Sequence, residues 1–451
     1  MNQISNPPPL ALEGAAAQGA TVSLARVTGV RSRRVTGALV LATIVLLAAT
    51  LEIVIDGAVG HSPLIPKSPQ IAGWLSGVGE RLGFRVFLIA LLADIAAYAL
   101  FLSLIGSVPR RLAIVLVAAL NMIVFAGPIL FSTDVFSYIA YARMGASHGL
   151  NPYLHGPFTI HSDPVYKYVG SDWVRVPTAY GPIYTLITYP LGLLGLAGAL
   201  WGMKLLALAA SAGTLWLTWR CAAKRALDPR FALFAVGANP LYVTYALGGA
   251  HNDLIMLLFM MVGVTFALQE RDASAASAII AGAFIKATVG VLWPFMLASR
   301  RTLGTVGGAL GAAALCALAG YLAFGVHGVD LVAALNRDAA LVSTDSFPTE
   351  IAHLFGKPGV FPVDHVMLKA GLVLVAVHML WRTWRGYDWV AASGWALLAI
   401  SVTSTWLLAW YILWPLPLAV VSRDRRLLIA TFAVQALFVI HQTSPLFAPV
   451  S

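Results

Sequence analysis

From residue 36 onward the chain is a succession of long apolar blocks separated by short polar loops. Blocks of this length cross a bilayer as helices, because a helix satisfies all of its backbone polar groups internally. The predicted fold class is therefore all-α, a polytopic transmembrane helical bundle. The apolar runs fall at residues 36–58, 84–106 and 112–130, then at 231–247, 254–269 and 303–324, and finally at 366–381, 389–408, 410–421 and 428–440. Two stretches do not read as simple crossings. In 180–220 an interfacial or re-entrant helix over 183–196 precedes one crossing that ends at Trp219. In 274–298 both ends are cytoplasmic, so two short half-spanning helices fit, with Lys286 at their tip. The expectation is roughly 13 crossings, with interfacial or re-entrant helices in the outer loops.

Between the blocks lie a catalytic outer loop at 131–179 and a second outer loop at 325–362. Residues 1–35, with Pro7, Pro8 and Pro9 and then an Ala/Gly-rich stretch, read as a flexible cytoplasmic tail. That tail shows no apolar core or cleavage site of a secretory leader. Residues 36–451 form one domain with no separate soluble unit.

Composition agrees with the pattern. The 451 residues are 59% hydrophobic and only 11% charged, with mean hydropathy +0.82, a balance that excludes a soluble domain of this size. The net charge of +10 invites a nucleic-acid reading, but placement argues against it. Of the 29 Lys and Arg residues, 18 gather in short loops on one side, including Arg110 and Arg111, Arg220 to Arg230, Arg300 and Arg301, and Arg423 to Arg426. That bias marks those loops, and the N-terminus, as cytoplasmic. The acids Asp134, Asp163, Asp172, Asp253, Asp345 and Glu350 fall in the other loops, so carboxylate chemistry is expected on the outer face of the plasma membrane. The two cysteines, Cys221 at a helix end and Cys316 in mid-span, lie at different depths and form no disulfide.

The most informative stretch is Ser132-Thr133-Asp134-Val135-Phe136-Ser137-Tyr138, which follows directly on a crossing. From Asp134, Tyr138 and Tyr141 recur on one helical face, which reads as an amphipathic helix lying in the membrane surface, its polar and aromatic side toward water or a cavity. Asp134 is either a dipole-stabilising acid beside a Ser132 or Thr133 cap, or a reactive carboxylate at the mouth of the bundle. Arg143 follows near the helix end, and Asn151-Pro152-Tyr153 forms a turn. Asp172 and Arg175 lead into Tyr180-Gly181-Pro182, a turn that opens a helix or a rigid corner under a binding site. His251-Asn252-Asp253 crowds three polar side chains onto one tight outer turn, more than a hairpin cap requires. Lys286 either snorkels or holds a phosphate. Trp410 and Tyr411, with Trp406 and Trp414, form an interfacial aromatic belt or a sugar-stacking surface. No Asp-x-Asp pair, P-loop or dinucleotide motif is present, and no metal or cofactor is expected.

These ordered motifs carry a resemblance. With Gly149-Leu150-Asn151-Pro152-Tyr153, Asn239-Pro240, Gly248-Gly249-Ala250-His251-Asn252-Asp253, Ile285-Lys286 and Trp414-Pro415, the chain is similar to the integral-membrane GT-C glycosyltransferases. Within them it most resembles the actinobacterial polyprenol-phosphate-mannose-dependent α-1,6-mannosyltransferases of lipoglycan synthesis. The common module would begin near Leu112, which leaves the two N-terminal spans without a role. The resemblance implies Asp134 as the reactive aspartate. It also implies a polyprenyl-phosphate sugar donor, most simply mannose, and a glycan or lipoglycan acceptor. A phosphodiester leaves without a protonating acid, so a single general base suffices and direct displacement inverts the anomeric centre. Arg143, Arg175 and Lys286 are the candidate cations for the departing phosphate. Donor or acceptor binding would fall to Tyr138, Asn151, Tyr153, Asp172, Tyr180, His251, Asn252, Asp253, Trp410 and Tyr411. A flippase for lipid-linked saccharides and a surface-glycan ligase are the competing classes.

Overall fold

The computed structural model describes residues 14–58, 84–328 and 341–443. The Pro-rich loop with Pro63, Pro66 and Pro69, the start of the tail, and Arg337 and Asp338 of the second loop lie outside the described residues.

Sixteen α-helices are described. The first half of the bundle contains α1 (Gly14–Ala58), α2 (Phe84–Ser103), α3 (Arg110–Ala126), α4 (Asp134–Ala146), α5 (Pro182–Gly192), α6 (Leu196–Lys224), α7 (Pro229–Gly237) and α8 (Asp253–Leu268). The second contains α9 (Asp272–Ala283), α10 (Leu292–Arg300), α11 (Leu303–Phe324), α12 (Phe347–Leu354), α13 (Pro362–Trp384), α14 (Trp389–Thr403), α15 (Leu416–Val421) and α16 (Arg425–Thr443). No strand occurs among the described residues.

Six of these helices are long and apolar enough to cross a membrane, the spans lying within α1, α2, α6, α11, α13 and α16. The apolar helices α8 and α14, and the segment Ala409–Val421, are shorter. The physical reason is helix breaking. The run 231–247 splits at Asn239-Pro240 into α7 and a wide helical turn, Tyr242–Leu247. The run 112–130 ends its helix at Ala126, before Gly127-Pro128. α1 begins at Gly14, inside the stretch expected as a tail; Ala15, Ala16 and Ala17 are strong helix formers and no proline intervenes before the span.

In both unusual stretches short helices stand where they are expected. α5 is a short helix ahead of the 29-residue α6. α9 and α10 are short helices separated by a break at Lys286 and a 3-10 helix, Ala287–Val291. Lys204, one of the mid-span charges that a transporter would need, is spent on the Gly127 carbonyl and lies over the Trp201 ring.

The basic loops meet at one end of the bundle. Arg225 pairs with Asp388, Arg423 donates to the Arg225 carbonyl at 2.9 Å, and Arg300 and Arg301 reach the carbonyls of Ala267 and Trp384. From that end α3 and α7 run away from the basic loops, and α8 and α10 return to them. A 17-residue helix such as α3 spans about 25 Å. The turns carrying Asp134 and His251 are therefore displaced to the opposite end.

α4 departs from its expected form. It is not an amphipathic helix with one face in water: Val135, Phe136, Tyr138, Ile139, Tyr141, Ala142 and Met144 are all buried. Packing against α5, α6 and the short 3-10 helices Pro157–Ile160 and Tyr166–Tyr168 buries most of its surface, and its tyrosine face turns inward.

Candidate active site

Asp134 is the first residue of α4. Thr133 occupies the cap position without a side-chain cap bond, and the Asp134 amide donates to Ser132 Oγ at 3.1 Å. The carboxylate is thus free of capping duty. Phe131, just upstream, adopts φ +62°, an uncommon conformation for an aromatic residue, and stacks on Tyr245 at 3.9 Å between ring centroids. Ala250, before His251, has φ +49°. Such conformations cost about 1–3 kcal/mol each and persist only where surrounding packing imposes them. The two turns are joined by a hydrogen bond from the Leu130 amide to the Gly248 carbonyl at 3.0 Å.

This seam brings His251 beside Asp134, with Nδ1 3.6 Å from Oδ2 and 3.3 Å from the Tyr138 hydroxyl. His251 is fully buried and stacks on Trp410 at 3.5 Å. Asp134 keeps 24% of its side chain accessible although protein surrounds it, as at the floor of a depression. Burial pushes its carboxyl up to about 6, with Lys286 and the Ser132 hydroxyl pulling down and Asp253 adding to the rise. Burial, with Lys286 contributing, holds the His251 imidazole well below its usual range, so it is neutral.

Lys286 completes the cluster. Its Nζ lies 2.8 Å from Asp253 Oδ1 and sits over the rings of Tyr411 at 4.4 Å and Trp414 at 5.1 Å. The Trp414 indole donates to the same Asp253 oxygen at 2.6 Å. Burial leaves four polar atoms here without a protein partner: His251 Nε2, Asn252 Nδ2 and Oδ1, and Asp253 Oδ2. Half of the buried unpartnered side-chain atoms found among the described residues are thus concentrated in three consecutive residues. The unpartnered atoms of Asn252 and Asp253 mark a place where polar groups are held for a ligand.

The Tyr180-Gly181-Pro182 corner locates Lys286. The Gly181 amide donates to the Ile285 carbonyl and the Ile183 amide to the Phe284 carbonyl, both at 3.1 Å. A Cβ on Gly181 would stand 2.0 Å from the Phe284 oxygen, so only glycine permits this approach. Tyr180 and Tyr184 pack edge-on to Tyr138 at 4.8 and 5.3 Å, walling the depression. Tyr184 was missed by sequence reasoning; its spacing of four from Tyr180, just beyond the corner, was the available signal.

The expected residues thus separate into two groups. Asp134, Tyr138, Tyr180, His251, Asn252, Asp253, Lys286, Trp410 and Tyr411 converge. The others do not. Arg143 grips Asp163 through Nε at 3.0 and 2.9 Å and through a second nitrogen at 2.9 Å, and also reaches the Leu194 carbonyl. It is a brace at the far end of α4, because Asp163 competes successfully for its guanidinium. Asn151 bonds the Phe324 carbonyl, and Tyr153 holds the Tyr180 carbonyl and Thr185; both are scaffold for the corner. Asp172 and Arg175 are exposed, and Arg175 lies over Phe158 at 4.2 Å.

The second loop reaches the same region. The Ser343 amide donates to the Thr405 carbonyl, the Ser343 hydroxyl to the Leu407 carbonyl and the Thr405 hydroxyl to the Leu341 carbonyl, and Trp173 meets Trp406 at 6.1 Å. A cavity of about 290 Å³ lies against Phe131, Tyr245 and Trp410, with Asp345 and Gln442 also in its lining. Among the described residues no three His, Cys, Asp or Glu side chains converge as a metal set.

Comparison with known proteins follows this geometry. Residues 34–300, more than half of the chain, match the family described as Alpha-(1->6)-mannopyranosyltransferase, N-terminal domain, and residues 360–445 match the MptB C-terminal domain. The chain is 29% identical over 332 residues to Alpha-(1->6)-mannopyranosyltransferase A of Mycobacterium tuberculosis, covering 67% of this chain and 64% of that protein. It is 30% identical over 246 residues to Alpha-(1->6)-mannopyranosyltransferase A of Corynebacterium glutamicum, covering 53% and 48%. The chain therefore spans less than two thirds of the length of these relatives.

Proposed function

Because this chain belongs to the alpha-(1->6)-mannopyranosyltransferase family, we propose that it transfers mannose from a polyprenyl-phosphate donor to a hydroxyl of a glycan or lipoglycan acceptor. Asp134 is the general base. The acceptor hydroxyl loses its proton to the Asp134 carboxylate as its oxygen bonds to the anomeric carbon. The carbon–oxygen bond to phosphate breaks on the opposite face, and its electron pair leaves on the lipid phosphate. A β-linked donor gives an α-mannoside by inversion. Lys286 meets the departing phosphate, sharing its charge between that anion and Asp253.

A base of this kind contributes about 10²- to 10⁴-fold, and the orientation of two bound substrates supplies much of the rest. The observation that carries the reading is the convergence of a quarter-exposed carboxylate, a buried neutral imidazole and a lysine on one depression. The clustering of basic residues at the other end of the bundle supports a cytoplasmic orientation for that end and, with it, a depression open to the outer surface of the plasma membrane. The same reading counts the short apolar helices with the long ones, for roughly 13 crossings.

The test is direct. Purified protein in lipid nanodiscs is incubated with polyprenyl-phosphate-mannose and short α-mannosides, and product mass and linkage are read. The wild type extends the acceptor by one α-1,6-linked mannose, and folded Asp134→Asn does not. Normal turnover by that variant removes the proposed base, and absence of product with the wild type removes the donor.

A further inference from the structure

We propose that His251 is a positioning residue for Asp134, and that Gly249 fixes the imidazole in the one tautomer able to do this. The inference rests on Asp134 acting as the base. Its evidence is steric. The Nε2 edge of His251 faces Gly249 so closely that a Cβ there would stand 2.4 Å from Nε2, 2.6 Å from Cδ2 and 2.8 Å from the Tyr245 carbonyl. One face of the ring is held by Trp410. The ring therefore cannot swing, and its two nitrogens have different fates.

Nε2 is buried with no protein partner. A proton there would be a donor with nothing to bond, and an unpaired buried donor is the costlier arrangement. Nδ1 has two acceptors in reach, Asp134 Oδ2 and the Tyr138 oxygen. The proton belongs on Nδ1. From there the N–H fixes Oδ2, and the second carboxyl oxygen is left to the acceptor hydroxyl. The separation of 3.6 Å is long for a hydrogen bond, as in many ligand-free sites, and closes when the depression fills. His251 never exchanges a proton in this scheme; it holds the base in register.

The experiment compares two amides. In His251→Asn the side-chain amide nitrogen reaches the position of Nδ1, whereas in His251→Gln it reaches that of Nε2, against Gly249. Both variants lose the imidazole stack on Trp410, so a role in packing alone lowers both equally. The expected result is a split in kcat per folded protein. His251→Asn stays within about tenfold of the wild type and His251→Gln falls about 10²-fold, with donor and acceptor KM little changed in both. Gly249→Ala, which displaces the intact ring, behaves like His251→Gln and serves where an amide variant fails to fold. Equal kcat for the two amide variants overturns the proposal, as does wild-type kcat in Gly249→Ala. Asp134→Asn is run alongside. If it stays active, the base assignment fails. If it is inactive while the two amides match, the base assignment stands and only the role of His251 falls.

Discussion

Three cations were candidates for the departing phosphate, and the geometry leaves one. Substituting Lys286→Met tests that choice. Loss of one preorganised contact to charge developing in a transition state costs about 2.7–4 kcal/mol, or about 10²- to 10³-fold in kcat. The same change does something else. Asp253 has only 2% of its side chain accessible, and its Oδ2 already lacks a partner. Without Lys286 it becomes an uncompensated buried carboxylate, which costs about 3–5 kcal/mol of stability. The two effects separate in the double variant Lys286→Met/Asp253→Asn, where the amide keeps an acceptor for the Trp414 indole and removes the stranded charge. Mannosyl transfer is measured per monodisperse protein, with a melting curve for each variant. The single variant loses both stability and kcat; the double variant regains stability and stays about 10²- to 10³-fold slow. Wild-type kcat in the double variant refutes the reasoning. So does an equal loss in Arg175→Met, whose guanidinium is exposed over Phe158.

Three further outcomes are expected. Transfer should rise with pH through about 6, because burial keeps the Asp134 carboxyl protonated below that point and a protonated base accepts nothing; Lys286→Met should move this limb upward, since Lys286 favours the charged form. A kcat/KM profile checks both, and a flat profile across that range counts against Asp134. Arg143→Ala should lower stability by removing the principal charged partner of buried Asp163, which keeps only His148 and the Val165 amide, while kcat per folded protein holds. Burial raises the Asp163 carboxyl, but bonds from Arg143, the Val165 amide and His148 outweigh it and hold it below its usual range. The pair therefore stabilises at neutral pH and fades as pH falls through that lowered value, so the two melting curves converge in acid. Gly181→Ala should lower both stability and kcat, because its Cβ meets the Phe284 carbonyl and must shift the Lys286 turn; Gly195→Ala, with open space around it, is the matched control.

The sequence made the chemistry more legible than the scaffold. Asp134, His251 and Lys286 stand out because charged or polar groups are rare in such an apolar chain, and rarity is visible without coordinates. Arg143 stands out for the same reason and misled, because nothing local shows that Asp163 will claim it. Tyr153 and Asn151 sit in conspicuous motifs, yet their bonds go to the Tyr180 and Phe324 carbonyls, contacts set by tertiary packing. The face of α4 was read correctly from its spacing; that protein, and not the membrane surface, encloses the helix was not. Periodicity tells which side chains share a side; it does not tell whether water or protein lies beyond.

The Leu130–Gly248 hydrogen bond has a consequence for anyone who would redesign this protein. It sews together two chain segments that lie far apart in the amino-acid order, one leading into Asp134 and the other into His251. A one-residue insertion or deletion on either strand of that stitch would misalign the pair by a full peptide. Attempts to reshape the region should leave the stitch untouched and diversify the lining of the adjoining cavity, such as Asp345 and Gln442, instead.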